Sequence, residues 1–227
     1  MIPSHRQGEA DARPSDIPAA RKGRDFVARH GETVFNAAHR LQGDAAHTPL
    51  TRAGFAQADE LGRALRGLLG VKPALTLWAS PTGRALQTLA VICEHLELDW
   101  HDARTDARLV EIDMGSWGGR YYADLAAEVG SIVLPGGILK RPADGETYPQ
   151  IAARVGAWLA DTAEDAGDRL VIMHGISSRV MLGVMTGAPF DPVLGAPVAP
   201  GLPQGSVTLV EDGRATVPHL GTGFAPA

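Results

Sequence analysis

The chain of 227 residues contains one cysteine, Cys93, and only 5 % aromatic residues. One cysteine can neither form an intramolecular disulfide nor complete a zinc site without several other ligands, so a disulfide-stapled fold is excluded and a reducing, cytoplasmic location is expected. No run approaches the ~18 apolar residues of a membrane span, and residues 1–24 lack the apolar core of a secretory signal. We therefore expect an unexported protein with no membrane partner.

The chain also lacks an excess of basic charge. Its 21 Lys and Arg against 26 Asp and Glu give a net charge of −5, which provides no broad field to attract a polyanion. Nucleic acid is therefore not an expected partner, and a phosphorylated ligand would have to be held by a local group of basic side chains. Apolar residues make up 44 % of the chain, which is enough for a sizeable core and excludes a wholly disordered protein.

Short β-prone apolar runs alternate with segments of helical spacing. The predicted buried strands are residues 26–28, 75–78 and 170–173. The predicted helices are one that begins at the N-cap Thr51, one over residues 83–97, one that contains Ile151, Val155, Trp158 and Leu159, and one that follows Gly175. Strands that alternate with helices of this length form βαβ crossovers. The pattern therefore predicts an α/β fold with a mostly parallel sheet.

The apolar faces and the irregular segments define the rest of the predicted organisation. The helix after Thr51 is expected to bury Phe55, Ala58, Leu61, Leu65 and Leu68, and the helix over 83–97 is expected to bury Leu86, Leu89, Cys93 and Leu96. Residues 1–24 are expected to form a flexible tail before a single domain over 25–227. That domain is expected to have an irregular insertion near 131–144, outer-pocket segments over 112–146 and 187–205, and an edge hairpin built from 206–210 and 215–217.

Three polar clusters directly follow the predicted strands. They are residues 29–33, 80–84 and 174–177, and they contain Arg29, His30, Arg84 and His174. Because the carboxyl ends of parallel strands meet in one crevice, we expect these clusters to converge. The arginines offer planar forks of donors that suit phosphate, and positive charges near His30 favour its neutral, nucleophilic imidazole. The clusters therefore predict a site for an oxyanion such as phosphate.

Phosphoryl transfer also requires a proton for the leaving oxygen. Glu111 follows a short apolar pair, and partial desolvation there could raise its pKa and suit it to general acid catalysis. On this reasoning Asp113, Asp144 and Glu146 remain alternatives.

The run Phe26-Val27-Ala28-Arg29-His30-Gly31-Glu32-Thr33 resembles the Arg-His-Gly signature of the histidine phosphatase superfamily. Further motifs follow in that family's order: Gln42-Gly43, Pro49-Leu50-Thr51, Ser80-Pro81, Gly83-Arg84, Glu111, Trp117-Gly118-Gly119, Gly145-Glu146-Thr147 and His174-Gly175. The resemblance spans about residues 25–210. It implies a phosphoglycerate mutase-like fold, a three-layer α/β/α sandwich, in the stand-alone phosphatase branch of the superfamily.

The resemblance also implies a role for ten residues. His30 would be the nucleophile that carries the phosphoryl group, and Glu111 would protonate the leaving group and then activate water. The phosphate pocket would be completed by Arg29, Arg84 and His174. The substrate would be contacted by Asn36, Gln42, Thr48, Glu146 and Gly175. On physical grounds alone, Asn36 could instead satisfy backbone groups at a helix start, and Thr147 could cap the helix that contains Ile151.

The expected activity is that of a metal-independent phosphomonoesterase with a phosphohistidine intermediate. The resemblance implies no metal or organic cofactor, and the expected partner is a small phosphorylated metabolite. Phe35 stands where the family often has Trp, and His47 lies near a position that is often acidic, so substrate specificity stays open. Two alternatives are a phosphoglycerate mutase, although residues 112–146 have only three basic residues, and a phospho-ligand-binding module without turnover. No sequence pattern indicates the oligomeric state.

Overall fold

A six-stranded sheet forms the centre of the computed structural model, which describes residues 21–223. Four strands run parallel to one another: β1 (Asp25–Arg29), β2 (Leu75–Ala79), β3 (Arg104–Thr105) and β6 (Asp168–Met173). Two strands are antiparallel to their neighbours: β9 (Val207–Glu211) and β10 (Arg214–His219). The order across the sheet is β10-β9-β1-β6-β2-β3. The predicted strands and the mostly parallel sheet are confirmed.

Helices cover both faces of this sheet. They are α1 (Val34–Ala37), α2 (Arg52–Leu69), α3 (Gly83–Leu96), α4 (Tyr122–Val129), α5 (Tyr148–Asp161) and α6 (Gly175–Thr186). Successive side chains of a strand point to opposite faces. Accordingly Phe26 packs in one apolar cluster with residues of α2 and α3, whereas Val27 packs in another with residues of α5 and α6. The predicted three-layer α/β/α sandwich is confirmed.

The apolar face of α2 differs in part from the prediction. Thr51 is the N-cap, as predicted, and its side chain accepts a hydrogen bond from the Gly54 N–H. However, Phe55 and Leu68 are 42 % and 49 % exposed, so the prediction that both are buried is wrong. Phe55 lies to one side of the buried stripe that contains Ala58, Leu61 and Leu65, whereas Leu68 continues that stripe into the last turn of α2, where it is no longer covered.

The last residues of the predicted N-terminal tail bind the start of the central strands. Arg21 forms an ion pair with Asp25 at 2.8 Å, and Arg24 forms one with Asp168 at 2.6 Å. These carboxylates lie at the start of β1 and β6. Residues 1–20, which make up most of the predicted tail, lie outside the described residues.

The insertion near 131–144 is more regular than predicted. It contains an antiparallel hairpin of β4 (Val133–Leu134) and β5 (Ile138–Leu139), and both residues of β5 are buried. A second short hairpin, of β7 (Phe190–Asp191) and β8 (Ala196–Pro197), lies in the segment 187–205. The prediction of an irregular insertion failed because two apolar pairs flank a Pro-Gly-Gly turn, and the apolar residues have a core to pack against.

The predicted edge hairpin is confirmed as β9 and β10. The strands are joined by Asp212 and Gly213, whose φ angles of 49° and 72° are those of a type I′ turn. β10 is the outermost strand, and its pairing is interrupted by a bulge between Thr216 and His219.

Cys93 is buried on α3, as predicted for a core residue. Burial raises the pKa of its thiol to about 11. Within residues 21–223, no helix is both long enough and apolar enough to cross a bilayer.

Candidate active site

The carboxyl ends of the parallel strands bring the predicted polar clusters together. Arg29 ends β1 and is followed by His30, whereas His174 follows β6. The ring centroids of His30 and His174 are 5.1 Å apart. Arg84, in the first turn of α3, donates from Nε to Nδ1 of His174 over 3.1 Å. Residues that are far apart in the sequence therefore form one buried group.

His30 is held as a neutral imidazole with one nitrogen available. Its Nδ1 lies 2.6 Å from the carbonyl oxygen of Gly31, which fits an N–H donor at Nδ1 and leaves the lone pair on Nε2. Burial lowers the pKa of His30 well below its usual value, and the positive charges of Arg84 and Arg29 lower it further. An unprotonated Nε2 near neutral pH is suited to nucleophilic attack.

His174 has the opposite arrangement of donor and acceptor. Its Nδ1 accepts the hydrogen bond from Arg84, so the neutral ring carries its proton on Nε2. Burial lowers the pKa of His174 well below its usual value, and the charge of Arg84 adds to the effect. Nε2 is buried and forms no hydrogen bond with any residue in the described part of the chain. His174 therefore offers an N–H donor to an anion.

Arg84 is completely buried and organises the loop that precedes α2. Its two terminal nitrogens donate to the carbonyl oxygens of Gly43 and Ala45 and to Oγ1 of Thr48. Thr48 thus lies against Arg84, whereas the sequence analysis placed it beside the substrate. Burial lowers the pKa of Arg84 to about 10 and that of Arg29 to about 10, so both guanidinium groups stay charged at neutral pH.

Glu111 lies at the N-terminus of α6. Its carboxylate oxygens accept hydrogen bonds from the backbone N–H groups of Ile112, Ile176 and Ser177 over 2.9–3.0 Å. Free N–H groups of a first helical turn favour an anion. At Gly175 a Cβ would lie 3.4 Å from Glu111 Oε2 and 3.3 Å from the Arg29 guanidinium carbon. The close approach of these two side chains to α6 therefore depends on glycine at this position.

A small cavity opens beside His30. It is lined by Arg29, His30, Asn36, Arg40, Leu41, Gln42, Gly43, Glu111, Ile112, Met114, Tyr122 and Leu139. We call it the catalytic cavity. Several of these residues come from the predicted outer-pocket segment 112–146. Arg84, Thr48 and His174 do not line it and are buried.

Asn36 and Gln42 have a structural contact in addition to their place in the cavity. The side-chain oxygen Oδ1 of Asn36 accepts from the backbone N–H of Thr33, and Thr33 Oγ1 accepts from the backbone N–H of Asn36, in a capping box at the start of α1, so the alternative role considered for Asn36 is confirmed. Thr33 Oγ1 also lies 2.5 Å from Gln42 Oε1. No described residue accepts a hydrogen bond from either amide nitrogen. Each amide therefore retains N–H donors for a ligand.

Glu146 lies outside the catalytic cavity. It forms an ion pair with Arg154, with 2.7 Å between Nε and Oε1. Both line a larger second cavity of about 360 Å³, which we call the acidic cavity. Its lining also contains Asp44, Asp113, Asp144 and Glu111. Glu111 is thus common to the two cavities, and the ion pair with Arg154 separates Glu146 from His30.

Sequence reasoning did not select Arg40, Tyr122 or Leu139, which all line the catalytic cavity. For Arg40 the sequence offered one indication, a basic residue between Asn36 and the Gln42-Gly43 motif. Tyr122 begins α4 and Leu139 ends β5, and neither has a local pattern that marks it as a cavity residue.

Comparison with known proteins identifies the family. The sequence model of the histidine phosphatase superfamily (branch 1) matches residues 26–217. The chain belongs to this superfamily. The matched range contains all ten residues to which the sequence analysis gave a role.

Proteins similar to this chain are named as a mutase in one case and as phosphatases in two others. "Probable phosphoglycerate mutase GpmB" of Citrobacter koseri is 33 % identical to this chain over 169 residues, which are 72 % of this chain and 75 % of the relative. A mycobacterial glucosyl-3-phosphoglycerate phosphatase, solved with VO3, has a TM-score of 0.72 and 25 % identity, and covers 90 % of this chain and 100 % of its own. The alpha-ribazole phosphatase of Shigella flexneri has the same fold, with a TM-score of 0.66, 23 % identity, and coverage of 88 % and 96 %.

Proposed function

We propose that this histidine phosphatase is a metal-independent phosphomonoesterase that hydrolyses small phosphorylated metabolites through a phosphohistidine on His30. The observation that carries the proposal is the pair of buried, neutral imidazoles with complementary protonation. His30 has a lone pair on Nε2, and His174 has its proton on Nε2. One ring is therefore suited to attack phosphorus, and the other is suited to donate a hydrogen bond to a phosphoryl oxygen.

In the first step, Nε2 of His30 forms a bond to phosphorus while the bond from phosphorus to the ester oxygen breaks. The electron pair of that bond goes to the leaving oxygen, which takes a proton from Glu111. The charges of Arg29 and Arg84 and the N–H of His174 stabilise the phosphoryl oxygens. Glu111 must be protonated for this step.

In the second step, a water molecule attacks phosphorus and the bond to Nε2 breaks, which restores neutral His30 and yields inorganic phosphate. Glu111, now a carboxylate, accepts the proton of the water. Its carboxylate oxygens accept three backbone N–H hydrogen bonds. They also fix its position relative to α6, which carries His174 at its N-cap. The same side chain thus serves as acid and then as base.

The similar proteins support phosphoryl chemistry but differ in its outcome. The two solved structures compared above are named as phosphatases, whereas the sequence relative from Citrobacter koseri is named as a probable phosphoglycerate mutase. The name of the latter favours a mutase as the second candidate. A mutase would interconvert 2- and 3-phosphoglycerate when primed with bisphosphoglycerate, and a phosphatase would release inorganic phosphate from them or from another phosphomonoester.

The test is hydrolysis of p-nitrophenyl phosphate in excess EDTA across pH 5 to 8, with wild type, His30→Ala and His101→Ala. His101 is an exposed histidine outside the cavity and provides the matched control. We expect turnover that EDTA does not reduce, a loss of about 10⁴-fold or more in His30→Ala, and no loss in His101→Ala. Quenching in alkaline detergent, in which the P–N bond of phosphohistidine is stable, should trap phosphate on wild type and not on His30→Ala. Undiminished hydrolysis by His30→Ala would contradict the mechanism.

A further inference from the structure

Arg40 is a third arginine of the catalytic cavity, and its guanidinium is fixed in place. The guanidinium carbon lies 4.9 Å from the ring centroid of Phe35 and 5.0 Å from that of Tyr121. Its Nε donates to the carbonyl oxygen of Gly119 over 2.6 Å. Two aromatic contacts and one hydrogen bond set the plane and the direction of the group.

Within the described residues, the remaining N–H donors of Arg40 have no hydrogen-bond partner. In residues 21–223, no carboxylate lies within 4.0 Å of its guanidinium, and no acceptor binds Nη1 or Nη2. A charged fork that is oriented in advance, borders a cavity and lacks a carboxylate partner is suited to bind an anionic group. Arg29 and Arg84 already serve the phosphoryl group in the proposed mechanism, so Arg40 is available for a different anion.

The charges on the other side of Glu111 indicate where that anion can lie. The acidic cavity presents Asp44, Asp113 and Asp144, and its Arg154 is already paired with Glu146. A negatively charged substituent is disfavoured there by like-charge repulsion. Near Arg40 it meets a positive charge instead. The two sides of the site therefore differ in sign.

We propose that Arg40 determines substrate specificity by binding a second anionic group, a carboxylate or a second phosphate, on the phosphomonoester. This inference rests on the proposed function, because it assumes that the first phosphoryl group lies at His30. It assigns to this chain a preference for substrates with two anionic groups over substrates whose alcohol portion is neutral.

The alternative is a purely structural role. Arg40 joins α1 to the loop that carries Gly119 and Tyr121, and it could serve only to hold the two together. A structural role would affect all ligands alike, because the whole cavity would be disturbed. A role in specificity would change the ratio between the affinities of two ligands that differ only in the second anion.

The experiment is isothermal titration of ligands into His30→Ala protein, which cannot turn them over by the proposed route. The ligands are glycerol 3-phosphate, with a neutral alcohol portion, 3-phosphoglycerate, with an added carboxylate, and fructose 1,6-bisphosphate, with a second phosphate. With Arg40 present, at least one of the latter two is expected to bind about 10- to 100-fold more tightly than glycerol 3-phosphate. The ligand that shows the gain identifies the anion.

In the Arg40→Gln variant of the same protein, this preference is expected to fall to less than about threefold, while the Kd of glycerol 3-phosphate changes by less than about threefold. Arg104→Gln provides the matched control, because Arg104 lies over the ring of Trp78 and does not line the catalytic cavity. That variant should keep the preference. Arg40→Lys keeps the charge without the planar fork, so its preference should be intermediate, and it replaces Arg40→Gln if that variant does not fold.

Three results would overturn the role of Arg40: equal affinity for all three ligands, a preference that persists without Arg40, or an equal loss for every ligand. The binding ratio does not depend on turnover. A protein that traps no phosphate on His30 but loses its preference with Arg40 would contradict the proposed mechanism and retain this inference.

Discussion

The two ends of the central strands both hold buried arginines, but these have different partners. At the amino end, Arg169 forms an ion pair with Asp25, and Arg21 binds the same carboxylate at 2.8 Å. At the carboxyl end, Arg84 donates to carbonyl oxygens, to the hydroxyl of Thr48 and to the ring of His174. Within the described residues, no carboxylate forms an ion pair with Arg84.

The difference separates a structural charge from a functional one. A buried cation is costly unless it is compensated, and a carboxylate of the same chain compensates Arg169 permanently. Arg84 instead hydrogen-bonds to neutral dipoles and a neutral imidazole, while the carboxylates of Glu111 and Asp44 act on it without direct contact, so its charge can also serve an anion from outside. A substitution at the amino end should therefore reduce stability and leave activity unchanged. A substitution at the carboxyl end should reduce activity and have a smaller effect on stability.

The largest expected effect is on the stability of Asp25→Asn. The substitution removes the carboxylate from two buried arginines, and breaking a buried pair in this way costs about 3–5 kcal/mol in the free energy of unfolding. Urea denaturation measures the loss, and kcat well below the unfolding transition should be unchanged. Combining Asp25→Asn with Arg169→Met should cost less than the sum of the two single variants. Additive losses would show that the pair is not coupled.

The next effect is on the activity of Arg84→Met. Loss of one charged donor to the phosphoryl oxygens should reduce kcat/KM by about 10²- to 10³-fold. Inorganic phosphate should raise the Tm of wild type by binding to the folded state, and it should no longer do so in the variant. A stability loss as large as that of Asp25→Asn, with phosphate still raising the Tm, would contradict the difference between the two ends.

A third effect is a pH dependence of stability that belongs to the carboxyl end. The pKa values of His30 and His174 are lowered in the folded protein, so below about pH 6.5 the unfolded chain binds protons that the folded chain does not. The free energy of unfolding should therefore fall as the pH drops from about 6.5 to 5, by up to about 1.4 kcal/mol per unit for each histidine. Above pH 7 the two histidines contribute nothing to the change of the free energy of unfolding with pH.

Urea denaturation at pH 7, 6 and 5.5 measures this slope. His174→Asn should reduce it, because the variant has one buried neutral histidine fewer, and exposed His101→Asn should leave it as in wild type. A slope that is the same in all three proteins would show that His174 does not contribute.

Sequence reasoning identified the features that depend on local patterns or on one general rule of topology. The caps at Thr51 and Thr147, the buried strands and the β9–β10 hairpin are encoded by neighbouring residues. The convergence of His30, Arg84 and His174 follows from the parallel sheet, because the carboxyl ends of its strands meet at one edge.

What escaped prediction depends on contacts between segments that are distant in the sequence. Thr48 lies against Arg84, and Glu146 is paired with Arg154, so neither lines the cavity beside His30. Arg40 reaches that cavity because Phe35 and Tyr121 enclose its guanidinium. No periodicity or motif in the sequence predicts these contacts.

The two outer strands of the sheet also limit self-association. β3 has only two residues, which leaves little backbone for another chain to pair with. At the opposite edge, Pro218 has no N–H to donate, and the bulge between Thr216 and His219 interrupts the regular ladder. Neither border is therefore a template on which a second molecule can extend the sheet. The catalytic cavity can therefore stay accessible to substrate. The strands at the two edges of the sheet do not promote aggregation at high concentration.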